Sequence, residues 1–69
     1  PAIALFTNNC ARCHGSFGQG QGGNPSLRKI QLSPQQIEKI IRSGRGRMPS
    51  FDQFSDEQLH MLSQLVRRL

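Results

Sequence analysis

The chain has 69 residues, 35% of them hydrophobic, and nine Lys and Arg against four Asp and Glu give a formal net charge of +5. This length indicates one domain over residues 1–69, and chains below about 70–80 residues rarely fold on a hydrophobic core alone, so we expect a stabilising cofactor, metal or disulfide. No apolar run reaches the ~18–20 residues of a membrane-spanning helix. The positive charge does not indicate nucleic-acid binding, because the sequence contains no recognised nucleic-acid-binding motif and no aromatic platform.

The first predicted helix covers residues 2–14, ends before Gly15, and carries a C-x-x-C-H motif at Cys10, Cys13 and His14. Positions i, i+3 and i+4 lie on one face of a helix, so these three side chains can address one flat ring. The motif is the attachment site of a c-type haem, where each thiol forms a thioether and the histidine binds the iron. The sequence therefore predicts one haem c, covalently attached through Cys10 and Cys13, with His14 as an iron ligand.

Three other kinds of site use a similar pair of cysteines. A thioredoxin-like dithiol needs a βαβ context, and the chain shows no convincing strand pattern. A tetrahedral zinc site needs four ligands, and the only further thiol or imidazole is His60, in a segment predicted to be helical. A small disulfide loop gives the adjacent His14 no role. These alternatives are weaker than haem attachment.

Two further helices are predicted from their caps. Ser33 is expected to cap the second helix, with Gln36 completing a capping box, and Gly44 to end it. Ser55 and Gln58 form the same box at the start of the last helix. Apolar residues at helical spacing are expected to face the core, namely Ile37, Ile40 and Ile41 in the second helix and Leu59, Leu62, Leu65, Val66 and Leu69 in the last.

Two loops connect the predicted helices. Residues 15–32 are rich in glycine, which lets the backbone pass close to the edge of a ring where side chains would collide. Leu27 and Ile30 are expected to point inward from this loop. Residues 45–54 form the second loop, and no internal repeat is evident in the chain.

The second loop contains the preferred candidate for a second iron ligand. Met48 is followed by Pro49, which restricts Met48 to an extended backbone, and its thioether is a soft ligand that suits an electron carrier. Met61 lies mid-helix between apolar residues, where methionine more often fills a core. His60 is expected at the surface. The sequence favours Met48 and leaves Met61, His60 and an open position as alternatives.

Four segments follow one another in a familiar order: residues 5–15 with the haem motif, 32–37 with the helix cap, 44–49 with Met48, and 55–67 at the end. In this order they resemble a small class I cytochrome c, similar to the bacterial monohaem cytochromes and the cytochrome c6 group. The resemblance covers essentially the whole chain. It implies an all-α fold of three to four helices wrapped around one covalently attached haem.

The resemblance also implies roles for single residues. The first and last helices would cross with Phe6 between them, although Leu65 stands near a place that is usually aromatic. The carbonyl of Pro25 would accept the Nδ1–H of the iron-bound His14, which places Pro25 among the cofactor-binding residues. No Trp or Tyr is present to bond a buried propionate, so the candidates for this contact are arginines: Arg42, Arg45 and Arg47.

The expected function is that of a one-electron carrier with His14 and Met48 as iron ligands, and not an enzyme. The main alternative is a haem-bearing electron-transfer domain of a larger redox enzyme, which the abrupt start at Pro1, without a signal peptide, slightly favours. A haem-based ligand sensor would need an open or labile iron position, and the Met48-Pro49 loop argues against it. A peroxidase would also need a distal acid or base, for which no residue is placed.

The partners are expected to be redox proteins. An acidic docking surface fits the excess of positive charge because charge steering speeds encounter, while a generally basic surface without a specific partner stays open. Family resemblance implies a periplasmic location, or an equivalent compartment such as the thylakoid lumen.

Overall fold

The structure, a computed structural model, describes residues 2–69, so the start at Pro1 lies outside the described residues. The chain forms α1 (Ala2–Leu5), a π-helical segment (Phe6–Cys10), α2 (Ala11–His14), α3 (Pro34–Ser43) and α4 (Asp56–Arg67). Residues 2–69 contain no β-strand, only two isolated bridges within turns. The predicted all-α class is confirmed.

The predicted first helix is helical over residues 2–14, but it is not a regular α-helix. The side-chain amide of Asn9 donates to the carbonyl of Leu5 at 2.9 Å, and the backbone N–H of Ala11 reaches back to the carbonyl of Phe6. Asparagine competes in this way for backbone groups, which loosens the turn before the haem motif. The π-helical segment therefore ends at Cys10, and α2 carries the rest of the motif to Gly15.

The predicted caps of the other two helices are confirmed. The hydroxyl of Ser33 accepts from the backbone of Gln36, whose side chain accepts in return from the Ser33 N–H. Ser55 and Gln58 form the same pair of bonds at the start of α4. Gly44 ends α3 with a positive φ of 78°, a conformation open to glycine. These caps follow from local hydrogen bonding and hold both helices where the sequence placed them.

The core lies where α4 packs against both α1 and α3. Leu59 and Leu62 are fully buried on α4, and Phe6 is only 4% exposed where the first and last helices meet. Leu65 and Leu69 are half-buried against this cluster, so their side chains cover its edge. The buried apolar side chains are Phe6, Cys10, Ile37, Ile41, Leu59, Leu62 and Val66. Among residues 2–69, no helix combines the length and apolarity that crossing a bilayer requires.

Polar contacts also join α3 to α4. The hydroxyl of the fully buried Ser63 lies 3.3 Å from a carboxylate oxygen of Glu38, and the same oxygen lies 3.6 Å from Nδ1 of His60. Arg42 forms an ion pair with Asp56 at the start of α4. Both members of that pair are largely exposed, so it contributes little to stability, about 0–1 kcal/mol.

Candidate haem site

A cavity of about 870 Å³ lies between the haem motif, the two loops and α3. Its volume falls within the ~300–1,000 Å³ range of ligand and cofactor pockets. Eight aliphatic or aromatic side chains line it, so it is a place for a large apolar group: Leu27, Ile30, Leu32, Ile37, Ile40, Ile41, Phe51 and Val66. Leu27 and Ile30 take the inward positions that the sequence predicted.

All three residues of the C-x-x-C-H motif line this cavity. Cys10 is buried and Cys13 is exposed, and both are free thiols. Burial raises the pKa of the Cys10 thiol to about 11, so it stays protonated at neutral pH. A redox dithiol has a lowered thiolate pKa, so this direction is opposite to that of a thioredoxin-like site.

The zinc alternative has no support in the described part of the chain. Within residues 2–69, no group of three or more His, Cys, Asp or Glu side chains lies close enough to hold a metal ion. Since structural zinc takes four protein ligands, the cysteine pair does not form such a site here.

The ring of His14 is oriented by the first loop. Its Nδ1 lies 2.9 Å from the carbonyl oxygen of Pro25, the contact that the family resemblance implies. As a donor to this carbonyl, Nδ1 carries the proton, and Nε2 is the nitrogen left to bind iron. A histidine ligand held in this way has a fixed tautomer and a stronger donor nitrogen.

Side-chain amides of the first loop hold the end of the haem motif, a feature that the sequence reasoning missed. Gln21 donates to the carbonyl of Arg12 at 3.1 Å, and Asn24 donates to the carbonyl of Cys13 at 3.1 Å. The backbone N–H of Gly20 donates to the carbonyl of His14 at 2.6 Å. The last carbonyls of a helix have no partner within the helix. The side-chain amides in the loop after α2 were therefore the sequence signal that could have predicted these hydrogen bonds.

Met48 lines the same cavity as His14 and is half-buried. Its backbone forms two hydrogen bonds with Arg45, of 3.1 and 2.9 Å, which close a tight turn. Met61 and His60 are not among the cavity-lining residues, and His60 is 64% exposed. The structure thus brings Met48, and neither alternative ligand, into the cavity of the haem motif.

Three arginines line the cavity and are exposed, so they mark its mouth. Arg45 and Arg47 are two of the predicted propionate contacts, whereas Arg42 is turned to Asp56 and does not line the cavity. Arg12, which the sequence did not single out for this role, is the third. No acidic side chain is found among the described residues that line the cavity, so its mouth is positively charged.

These residues fit a covalently attached haem. The cavity combines two thiols, an oriented imidazole, a thioether and an apolar lining, with cationic groups where anionic propionates would leave the protein. A thiol and imidazole set is also the donor chemistry that the haem motif requires.

Comparisons with known proteins agree with this site. The family described as cytochrome C oxidase, cbb3-type, subunit III matches residues 2–66. The chain is 38% identical over 58 residues to the menaquinol:cytochrome c reductase cytochrome c subunit of Bacillus subtilis, which covers 83% of this chain and 23% of that protein. It is also 38% identical over 47 residues to cytochrome c-551 of the same organism, covering 65% of this chain and 41% of that protein.

A solved structure shows the same fold. The KustC0563 c-type cytochrome superposes with a TM-score of 0.83 at 20% identity, over 97% of this chain and 94% of that one. The fold and the sequence relatives therefore point to one family. Because the family match extends over nearly the whole described chain, the protein belongs to this family of c-type cytochrome domains, which carry a covalently attached haem c and transfer electrons.

Proposed function

We propose that the chain shuttles single electrons between redox partners through one haem c, attached at Cys10 and Cys13 and ligated by His14 and Met48. The observation that carries this proposal is that these four side chains line one apolar cavity of about 870 Å³. The haem, when bound, supplies the one-electron chemistry. In this proposal the described residues of the cavity hold and orient the haem, and the chain acts as a carrier and not as an enzyme.

The chain's own residues set the conditions for electron transfer. The carbonyl of Pro25 fixes the donor nitrogen of His14, which favours the oxidised metal. The thioether of Met48 favours the reduced metal and raises the potential. The apolar lining excludes water, so the surroundings reorganise little when the charge changes. The His14 hydrogen bond, the Met48 thioether and the apolar lining together set the reduction potential.

A second candidate function is that of a haem domain within a larger redox enzyme. The observation in its favour is length, because the matched region spans less than half of either Bacillus subtilis relative. In that case the electron would pass within one protein instead of between diffusing partners. Expression of the full-length gene product, followed by its mass and its cofactor content, separates the two candidates.

The haem-loaded protein tests the proposed chemistry directly. We expect a reversible titration with one electron per chain, and in the oxidised state the weak far-red absorption band of a methionine sulfur on ferric haem iron. Absence of this band in the parent protein, together with rapid binding of CO or cyanide, would instead indicate a ligand sensor with an open iron.

We further propose that the partner docks at the cavity mouth and carries acidic groups there. The support is the charge at the mouth, where Arg12, Arg45 and Arg47 are exposed and no lining residue is acidic among those described. Such encounters use small, transient contacts, and opposite charges increase their rate.

Replacing Arg45 and Arg47 with glutamine is expected to slow oxidation of the reduced protein by an anionic oxidant, hexacyanoferrate(III). At roughly 0.01 M ionic strength, where screening acts over about 30 Å, we expect a decrease of about three- to tenfold. Stopped-flow absorbance measures the rate. The double variant Arg67→Gln/Arg68→Gln is the control, because it removes the same charge from exposed residues that do not line the cavity. Equal rates in the two double variants, or no dependence on salt, would remove the steering proposal.

We also propose a location on the side of an energy-transducing membrane where c-type haem is attached, the periplasm or an equivalent compartment. The support is the covalent haem of the family, since attachment occurs in that compartment in proteins that this chain resembles. Fractionation of the source cells with a haem stain tests this, and recovery of the holoprotein in the cytoplasm would contradict it.

A further inference from the structure

The two loops that border the cavity share a short repeat. Residues 20–26 read Gly-Gln-Gly-Gly-Asn-Pro-Ser, and residues 44–50 read Gly-Arg-Gly-Arg-Met-Pro-Ser, so both follow the pattern Gly-x-Gly-x-x-Pro-Ser. The sequence indicated no internal repeat, and for these loops that expectation is wrong. The two copies have different residues at all three variable positions, so the repeat cannot be detected from residue composition alone.

The copies share part of their backbone geometry, although the second central residue of the turn has a positive φ at Gly23 and not at Arg47. In the first, Gln21 and Asn24 pair across a two-residue turn, and in the second, Arg45 and Met48 do so. The first central residue of each turn is a glycine with a φ of 59°. The residues that follow each Pro-Ser pair, Leu27 and Phe51, both line the cavity. The copies therefore share the pairing across the turn and the glycine that opens it, while the turns themselves are of different types.

A glycine before each turn is in close contact with the end of its own loop. A Cβ atom on Gly20 would lie 2.9 Å from the carbonyl oxygen of Asn24 and 2.9 Å from the nitrogen of Ser26. A Cβ atom on Gly44 would lie 2.7 Å from the carbonyl oxygen of Met48 and 2.9 Å from the nitrogen of Ser50. These are backbone atoms, so a side chain could be accommodated only by moving the segment around each proline.

The segment that would move carries a different functional group in each copy. In the first loop it holds the Pro25 carbonyl at 2.9 Å from Nδ1 of His14. In the second loop it holds Met48 at the cavity wall. The proline in each copy restricts the preceding residue to an extended backbone, which leaves the glycine contact to set where the segment lies.

We propose that the two loops are two copies of one positioning device, in which Gly20 sets the orientation of His14 through Pro25 and Gly44 sets the position of Met48. This inference rests on the proposed function, in which His14 and Met48 are the iron ligands. Gly20 and Gly44 are then positioning residues for the two iron ligands. Their absence of a side chain is needed because backbone closes on backbone at both places.

Each copy contains its own matched control. Gly22 and Gly46 also have positive φ, but a Cβ atom on either would have no neighbour within 4 Å. An alanine at any of the four positions therefore adds backbone strain, and only at Gly20 and Gly44 does it also displace the loop. The difference within each pair isolates the positioning effect from general destabilisation.

For the second loop we compare haem-loaded Gly44→Ala with Gly46→Ala. Gly44→Ala is expected to weaken or remove the far-red band of the oxidised protein and to lower its reduction potential. Gly46→Ala is expected to lower the melting temperature while keeping the band and the potential of the parent. Absorption spectra and a potentiometric titration measure both properties on the same samples.

For the first loop we compare haem-loaded Gly20→Ala with Gly22→Ala. Gly20→Ala is expected to raise the reduction potential, because a weaker bond from Nδ1 of His14 makes the ring a poorer donor to the oxidised iron. The far-red band should remain. In a ferrous form without bound Met48, resonance Raman spectroscopy should show a lower iron–histidine stretching frequency. Gly22→Ala should change neither property. This pair keeps the inference testable if Gly44→Ala does not accumulate as holoprotein.

The outcomes separate this inference from the proposed function. If the parent shows the band and Met48→Ala loses it, but each alanine pair behaves alike, the ligands stand and the positioning inference is overturned. If the parent lacks the band, the proposed ligation fails and the inference fails with it. Opposite shifts of potential in Gly20→Ala and Gly44→Ala, each absent from its control, would support one device used twice.

Discussion

Replacing Met48 with alanine is expected to abolish the far-red band of the oxidised protein, lower its reduction potential and open the iron to CO or cyanide. Met48 is the proposed sulfur ligand and lines the cavity of the haem motif, and a thioether stabilises the reduced metal. We expect a decrease on the order of 0.1 V or more, within the ~0.8 V range that axial ligands span. Absorption spectroscopy, potentiometry and ligand titration measure the three effects.

The chain offers a matched control for this prediction. Met61 is also half-buried, but it lies on α4 and does not line the cavity, so Met61→Ala should keep the band, the potential and the closed iron. His60→Ala should behave in the same way, since its ring is largely exposed. Unchanged CO and cyanide binding in Met48→Ala, or loss of the band in Met61→Ala, would contradict the assignment of Met48.

Removal of the haem is expected to leave the chain largely unfolded. Among the described residues, seven apolar side chains form the buried core, and five further aliphatic or aromatic side chains face the cavity. If each of these five loses about half of the 1.5–3 kcal/mol that full burial provides, the loss is on the order of 4–8 kcal/mol. That is comparable to the whole stability of a small domain, about 5–15 kcal/mol.

Circular dichroism of the haem-free chain under reducing conditions tests this expectation. We expect weak helical signal and no cooperative thermal transition, whereas the haem-loaded chain should melt cooperatively. The double variant Cys10→Ala/Cys13→Ala, which cannot form thioethers, should resemble the haem-free chain. A cooperative melt of either haem-free form would show that the helices and caps fold without the cofactor.

The two capped helices show how far local rules reach. The Ser33–Gln36 and Ser55–Gln58 boxes form within a single turn, so neighbouring residues decide them and both were predictable. The first helix departs from the regular form because an asparagine side chain takes a backbone carbonyl. This competition is local too, but it depends on side-chain geometry that helix propensity alone does not describe.

The arginines show where sequence reasoning stops. Arg42, Arg45 and Arg47 lie within six positions of one another and have the same chemistry, so the sequence could not choose among them. The packing of α3 on α4 places Asp56 beside Arg42, which takes that arginine away from the cavity. Arg12 reaches the cavity mouth because the end of α2 borders the cavity, which depends on how the motif sits against the loops.

By itself, the sequence determined the all-α class, both capping boxes and the cofactor. Each of these depends on spacings of a few residues that one helical turn brings together. The resemblance implied that the Pro25 carbonyl orients His14, but only the tertiary structure shows this contact, the set of residues that share the cavity, and the matching glycine contacts of the two loops. The carbonyl of Pro25 is eleven residues from His14, and Met48 is much farther away. Contacts at such separations are set by the packing of elements around a shared core, which no local pattern encodes.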